Sequence, residues 1–231
     1  MPTIVFASPK GGVGKSTSAV VLATQLAAKG ASVTLVDADP NRPVSQWARR
    51  GTCPKHLTVI ADVSEDTIIE TIEHAAEDST FVIVDLEGTA SMTVAYAISR
   101  ADLVVIPTQG SQLDAAEAAK AIKLIRQQEK AFGRPISYAV LFTRTSGAIR
   151  PRTLQHIRDE FTKHGTPTFR AQMQEREAFR AIFSFGGTLE DLDARQVTNR
   201  DAAISNARQF ATEVIGMLRH NTAESATAEV A

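Results

Sequence analysis

The residues with the clearest chemical purpose stand together near the start of the chain, as Pro9-Lys10-Gly11-Gly12-Val13-Gly14-Lys15-Ser16-Thr17. They follow a β-branched run and open a helix-forming run, the strand–loop–helix setting of a phosphate-binding loop. Glycines let successive backbone N–H groups converge on phosphate oxygens, and the helix N-terminus adds partial positive charge. Residues Lys10 to Thr17 are therefore read as nucleotide-binding. Lys15 is placed to reach the β- and γ-phosphates, and the Ser16 hydroxyl to ligate Mg²⁺. The strict G-x-x-x-x-G-K-[ST] pattern is not met, because Pro9 stands at its first glycine and an additional lysine, Lys10, follows it.

Two strand ends supply acids. Val33-Thr34-Leu35-Val36-Asp37-Ala38-Asp39-Pro40 closes an apolar run with two carboxylates two residues apart, which a strand directs to one side. Phe81-Val82-Ile83-Val84-Asp85 is four apolar residues and an aspartate, the Walker B pattern, in which Asp85 holds Mg²⁺ through water. The N/T-K-x-D element that reads guanine is absent from Leu141-Phe142-Thr143-Arg144-Thr145, so ATP is the expected nucleotide. Trp47, just past Asp39, is read as a packing anchor rather than a base-stacking platform.

These residues need a scaffold, and the chain alternates accordingly. Thr3–Ser8, Ser32–Asp37, Leu57–Ala61, Phe81–Asp85, Leu103–Pro107 and Ile136–Phe142 read as buried strands. Ser16–Lys29, Ser64–Glu77, Ser91–Arg100 and Leu113–Phe132 read as helices between them, and Pro151–Lys163, Glu175–Phe185 and Asn199–Leu218 as helices beyond. Such alternation predicts an α/β fold, a doubly wound, mostly parallel sheet with helices on both faces. At 231 residues and 43% hydrophobic, the chain suits one domain, 1–219, with 220–231 expected to be a disordered tail. Cys53 is the single cysteine, which excludes an internal disulfide or a four-sulfur metal site. The apolar stretch Ser18–Ala28 is too short to span a membrane and sits behind the glycine loop, where no signal peptide belongs. A cytoplasmic protein is the expectation.

The net charge of −1 conceals an uneven distribution: residues 1–133 carry −3, residues 134–180 carry +5, and residues 181–231 carry −3. The middle block is rich in arginine, which forks onto phosphate oxygens, and so is a candidate polyanion-binding face.

The two-lysine loop Lys-Gly-Gly-Val-Gly-Lys-Ser resembles the deviant Walker A motif of the ParA/MinD superfamily. The loop stands close to the start of the sequence, like the small ParA type. Asp37-Ala-Asp-Pro-Asn-Arg-Pro-Val-Ser-Gln-Trp47 and Met173-Gln-Glu-Arg-Glu-Ala-Phe179 resemble the VirC-type ATPases of T-DNA transfer. The resemblance implies a P-loop NTPase with slow, partner-stimulated ATPase activity. Lys10 would be the signature lysine that reaches a partner's nucleotide across an ATP-sandwich homodimer. Asp39 would position the attacking water, giving a catalytic set of Lys10, Lys15 and Asp39. Asp37 would support the metal shell, giving a metal set of Ser16, Asp37 and Asp85. The dimer would bind DNA without sequence preference and leave it on hydrolysis, partitioning or positioning a plasmid, a chromosome or a DNA-transfer complex. It would be nucleoid-associated when ATP-bound and would answer to a separate activating adaptor or centromere-binding protein. Arg150, Arg152, Arg176 and Arg180 are the candidate DNA contacts; the alternative for the last two is pairing with Glu175 and Glu177. The continuation Leu86-Glu87-Gly88-Thr89 departs from the family's proline-containing turn.

Rival readings are separable. A MinD-like ATPase that positions a protein cargo at a membrane needs a basic amphipathic C-terminal helix, whereas Asn221–Ala231 has two glutamates and no lysine or arginine. An iron-protein reductase needs cluster cysteines. A small-molecule ligase or kinase on the same fold, such as a dethiobiotin-synthetase-like enzyme, is the alternative that Lys10 and the arginine block speak against without eliminating it.

Overall fold

The computed structural model describes residues 1–88, 91–147 and 151–228, with side chains as far as Asn221. The described strands are β1 (Thr3–Phe6), β2 (Val33–Ala38), β3 (Leu57–Ile60), β4 (Phe81–Leu86), β5 (Leu103–Thr108), β6 (Tyr138–Thr145) and β7 (Met173–Gln174). The helices are α1 (Lys15–Ala27), α2 (Pro43–Arg50), α3 (Ile68–Asp78), α4 (Met92–Ser99), α5 (Gln112–Phe132), α6 (Arg152–Lys163), α7 (Glu177–Phe185) and α8 (Arg200–Ala228). All strand pairs are parallel, in the order β3-β2-β4-β1-β5-β6-β7. This is the doubly wound P-loop NTPase fold.

Strand periodicity divides the interior in two. Ile4 and Phe6 join Leu35, Ile83 and Val105 on one face of the sheet, under α1, α2, α7 and α8. Val5 joins Val36, Val84 and Val104 on the other, under α3, α4, α5 and α6. Strand β1 lies at the centre and is buried at every position, so the loop that follows it emerges at the middle of the carboxyl edge. The acids at the ends of β2 and β4 emerge beside it, with Asp37 and Asp85 opposite one another in register. Ligands of open α/β sheets bind along this edge.

Helix α1 is buried from Ser18 to Ala27, which accounts for the apolar run Ala19–Ala23, with no polar side among those residues. Among the described residues no helix is long and apolar enough to cross a membrane.

The structure departs from the sequence reading in three places. Helix α2 is absent from that reading because its cap comes from another element. Asp37 accepts hydrogen bonds from the Ser45 N–H (2.7 Å) and the Ser45 hydroxyl (2.6 Å), closing the first turn of a helix that Pro43 begins. Trp47 is 1% exposed and donates its indole N–H to the Gly187 carbonyl at 2.8 Å, in keeping with a packing anchor. Strand β6 continues past Phe142 to Thr145, with a register shift around Arg144, whose φ is +51°, where it meets β7. Finally, α8 runs to Ala228, past His220 where a tail was expected. Alanine and glutamate propagate a helix that packed turns upstream have already nucleated.

Candidate nucleotide site

The loop after β1 is built to present donors. Gly12 and Gly14 have φ of +73° and +94°, values that residues with a Cβ rarely adopt. The Val13 carbonyl is tied to the Thr143 hydroxyl at 2.7 Å and the Gly12 carbonyl to the Gln109 amide at 3.4 Å. With these carbonyls held by β6 and by the loop after β5, no backbone N–H from Lys10 to Thr17 has a hydrogen-bond partner among the described residues. Helix α1 has no side-chain cap and no acid in its first turn. On the other face of the sheet, α4 and α5 are capped by Ser91 and Ser111. An uncapped helix N-terminus behind a row of unclaimed N–H groups is an anion site.

Lys15, the first residue of α1, is 6% exposed, and its ammonium donates to the Lys10 carbonyl at 3.5 Å. Burial pulls its pKa down, against the opposing influence of Asp85, Asp39 and Glu87. Asp85 is fully buried, and among the described residues neither of its carboxyl oxygens, nor one oxygen of Asp37, has a hydrogen-bond partner. Burial pushes Asp85 up to about 7, with the nearby Ser16 hydroxyl pulling the other way. Burial raises Asp37 too, with Ser45 opposing. Two buried carboxyl groups with orphaned oxygens beside a hydroxyl are what a hard cation needs, so Ser16, Asp37 and Asp85 fit Mg²⁺. The described residues contain no set of three His, Cys, Asp or Glu that would hold a metal unaided, and waters and phosphate oxygens would complete such a shell.

The raised Asp85 has a consequence for the nucleotide-free protein. The unfolded carboxyl titrates at about 3.9. Between that pH and about 7 the folded chain therefore binds the extra proton. Stability should fall as pH rises through this window, by up to about 1.4 kcal/mol per pH unit. Asp37 contributes with the same sign. Urea unfolding at pH 5 and pH 7 should show the loss, and Asp85→Asn should flatten most of it. A wild-type stability that rises between those pH values would contradict the buried, unpaired placement of Asp85.

Asp39 is partly exposed and accepts from the Asn41 N–H (2.8 Å) and the Asn41 amide (3.0 Å), so its carboxylate is held in one orientation beside the loop. Lys10 is paired with Asp114 at the start of α5, a residue that sequence reasoning missed. Gly88 packs so closely on the loop that a Cβ there would stand 3.0 Å from the Gly11 nitrogen. Thr89 lies outside the described residues.

Beside Gly14, Thr17 and Ser18 opens a cavity of about 160 Å³, whose far wall is Arg144, Gln174 and Arg176. Three buried polar atoms, the hydroxyls of Ser18 and Thr145 and the Nε of Arg176, lack partners among the described residues. This corrects the placement of two candidate DNA contacts. Arg176 is the N-cap of α7, just outside the helix, bonds Gln174 and, like Arg180, lines the cavity. Arg180 is exposed but paired with Glu175 (3.0 Å) and Glu177 (2.8 Å). Arg152 opens α6 and is exposed; Arg150 lies outside the described residues.

Against known proteins, the VirC1 protein family matches residues 1–220. The chain belongs to the VirC1 family. This VirC1-family chain is 45% identical over 218 residues to Protein ParA of Rhizobium radiobacter, covering 94% of itself and 98% of that relative. It is 29% identical over 187 residues to Protein virC1 of Rhizobium rhizogenes, covering 79% and 80%. A Cyanothece McdA(D38A)–ATP complex has the same fold, with a TM-score of 0.75 at 17% identity over 94% of this chain and 96% of that one. The VirC1-family chain thus falls in the ParA/MinD superfamily of partition ATPases, as its two-lysine loop implies.

Proposed function

We propose that this chain hydrolyses ATP and that its ATP-bound form is a homodimer that holds DNA through phosphate contacts. The observation that carries the reading is the glycine loop from Lys10 to Thr17, whose backbone N–H groups meet no acceptor at hydrogen-bond geometry among the described residues and whose Lys15 feels the charge of the buried Asp85. The N–H row and Lys15 hold the phosphates, and the cavity beside Thr17 receives the base. Ser16, Asp37 and Asp85 would hold Mg²⁺, which screens phosphate charge when bound. Asp39 orients the attacking water, and Lys10 supplies positive charge to the partner's transferring phosphoryl group. Slow turnover quickened by a separate adaptor, and association with the nucleoid in the ATP state, follow from the same reading.

For DNA, the geometry favours the outer side of α5 and α6 over the Arg176–Arg180 pair. Helix α5 exposes Lys120, Lys123, Arg126 and Lys130. Glu117 pairs with Lys120 on this face, Asp114 is held by Lys10 and Glu129 accepts from the Ile136 N–H, which leaves Lys123, Arg126 and Lys130 without an ion pair among the described residues. Helix α6 adds Arg152 and Lys163 against an exposed Asp159, while α3, farther along the same layer, exposes Glu70, Glu73, Glu77 and Asp78. A duplex is drawn to one end of this layer and repelled from the other.

The test is binding of unrelated DNA fragments with ATP and with ADP across a salt series. Binding should require ATP and weaken steeply with salt, the log–log slope falling by about 0.9 for each phosphate contact removed. Combined Lys123→Glu, Arg126→Glu and Lys130→Glu changes should flatten that slope far more than Arg180→Ala. Salt-insensitive binding, or binding equal with ADP, would defeat the proposal.

A further inference from the structure

Lys10 is paired with Asp114, 104 positions away in sequence. The Lys10 ammonium donates to one Asp114 oxygen, and the Ser111 hydroxyl donates to the other. Asp114 is the third residue of α5, where its own N–H donates to the Ser111 oxygen at 3.2 Å, and the Thr108 hydroxyl donates to its carbonyl at 3.1 Å. The acceptor is therefore built into the first turn of a helix, and its side chain is 3% exposed against 41% for Lys10. Burial alone would raise the Asp114 pKa, but Lys10 and Ser111 hold it below the usual carboxylate range. Leu113, the adjoining residue, is 77% exposed, so this rim of the site is open to a second molecule.

We infer that Asp114 is a positioning residue that parks Lys10 within its own chain and so sets how much ATP is needed to form the dimer. The inference rests on the dimer reading above. One ammonium cannot stay on Asp114 and also serve a partner's nucleotide. Moving it strips a buried carboxylate of its counter-charge, and the phosphate must outbid that contact. Asp114 thus opposes premature pairing of chains whose loops hold no triphosphate.

The experiment compares wild type, Asp114→Asn and Ser111→Ala. Asparagine keeps the size and the acceptor oxygen that the cap uses while removing the charge. Ser111→Ala weakens the cap and leaves the charge. Thermal unfolding establishes that each variant folds. Acetylation of the nucleotide-free protein, read by mass spectrometry with Lys123 as internal reference, reports whether Lys10 is held. Its rate at Lys10 should rise severalfold in Asp114→Asn. Sedimentation across an ATP series gives the concentration for half-maximal dimerisation. That midpoint should fall about tenfold in Asp114→Asn, a factor equivalent to about 1.4 kcal/mol. In Ser111→Ala it should stay near the wild-type value. Unchanged Lys10 acetylation in Asp114→Asn, a midpoint that stays or rises, or an equal shift in Ser111→Ala would each overturn the inference. A wild type that never dimerises with ATP would overturn the functional reading instead, and the acetylation rates would then decide the parking contact alone.

Discussion

Replacing Lys15 with alanine is expected to eliminate measurable ATP binding in a calorimetric titration, a loss of at least about a hundredfold. The effect exceeds the loss of one charge-assisted hydrogen bond because of what the ammonium stands among. Lys15 is buried, and Asp85, Asp39 and Glu87 all act on it. Without it, those carboxyl groups face an incoming triphosphate with no cation of the chain between them. The variant should still fold, since Asp85 can take up a proton near neutrality. Affinity within tenfold of wild type would show that the phosphates do not lie against Lys15, and the loop would need another ligand.

Asp39→Ala should separate binding from turnover. ATP affinity and ATP-dependent dimerisation should persist, because the loop N–H groups and Lys15 are untouched. The hydrolysis rate should fall about a hundredfold, the usual scale for losing one general-base or water-positioning contact. Asn41 makes the assignment sharper, since it fixes the Asp39 carboxylate through two hydrogen bonds. Asn41→Ala should therefore lower turnover in the same direction but less. An unaltered rate in Asp39→Ala would transfer the role to Glu87, whose charge also reaches Lys15.

What could be read from sequence was whatever is local. The phosphate loop, Asp37 and Asp85 each lie within one contiguous motif at a strand end, and the parallel fold follows from apolar runs separated by helical spacing. The Lys10–Asp114 pair was out of reach. Ser111-x-x-Asp114 is visible as a capping pattern, but nothing local says that a lysine 104 positions away completes it. Helix α2 was missed because its cap is Asp37, in the preceding strand, leaving Pro43 as the only local mark of a helix start. The cavity was hidden for a related reason. Its walls come from α1, the end of β6 and the segment around β7, a strand of two residues that no periodicity can reveal. The arginine block was counted along the chain, which does not show how each arginine is placed. Arg176 turns inward to Gln174, and Arg180 is neutralised by its neighbours.

Helix α2 is anchored at both ends, by Asp37 at its start and by the approach of Gly51 to Gly186 and Gly187 at its finish. A Cβ on Gly51 would stand 2.4 Å from the Gly187 nitrogen, and one on Gly186 would stand 2.4 Å from the Gly51 nitrogen. Each collision is with main chain, so no second-site change of side chain can relieve it. The only relief is to slide the helix, and sliding it drags on the carboxylate that faces the phosphate loop. Under random mutagenesis these glycines, remote in sequence from Lys15 and Asp85, should be as intolerant of replacement as the loop itself, and suppressors should map to the backbone turns beside them rather than to contacting side chains.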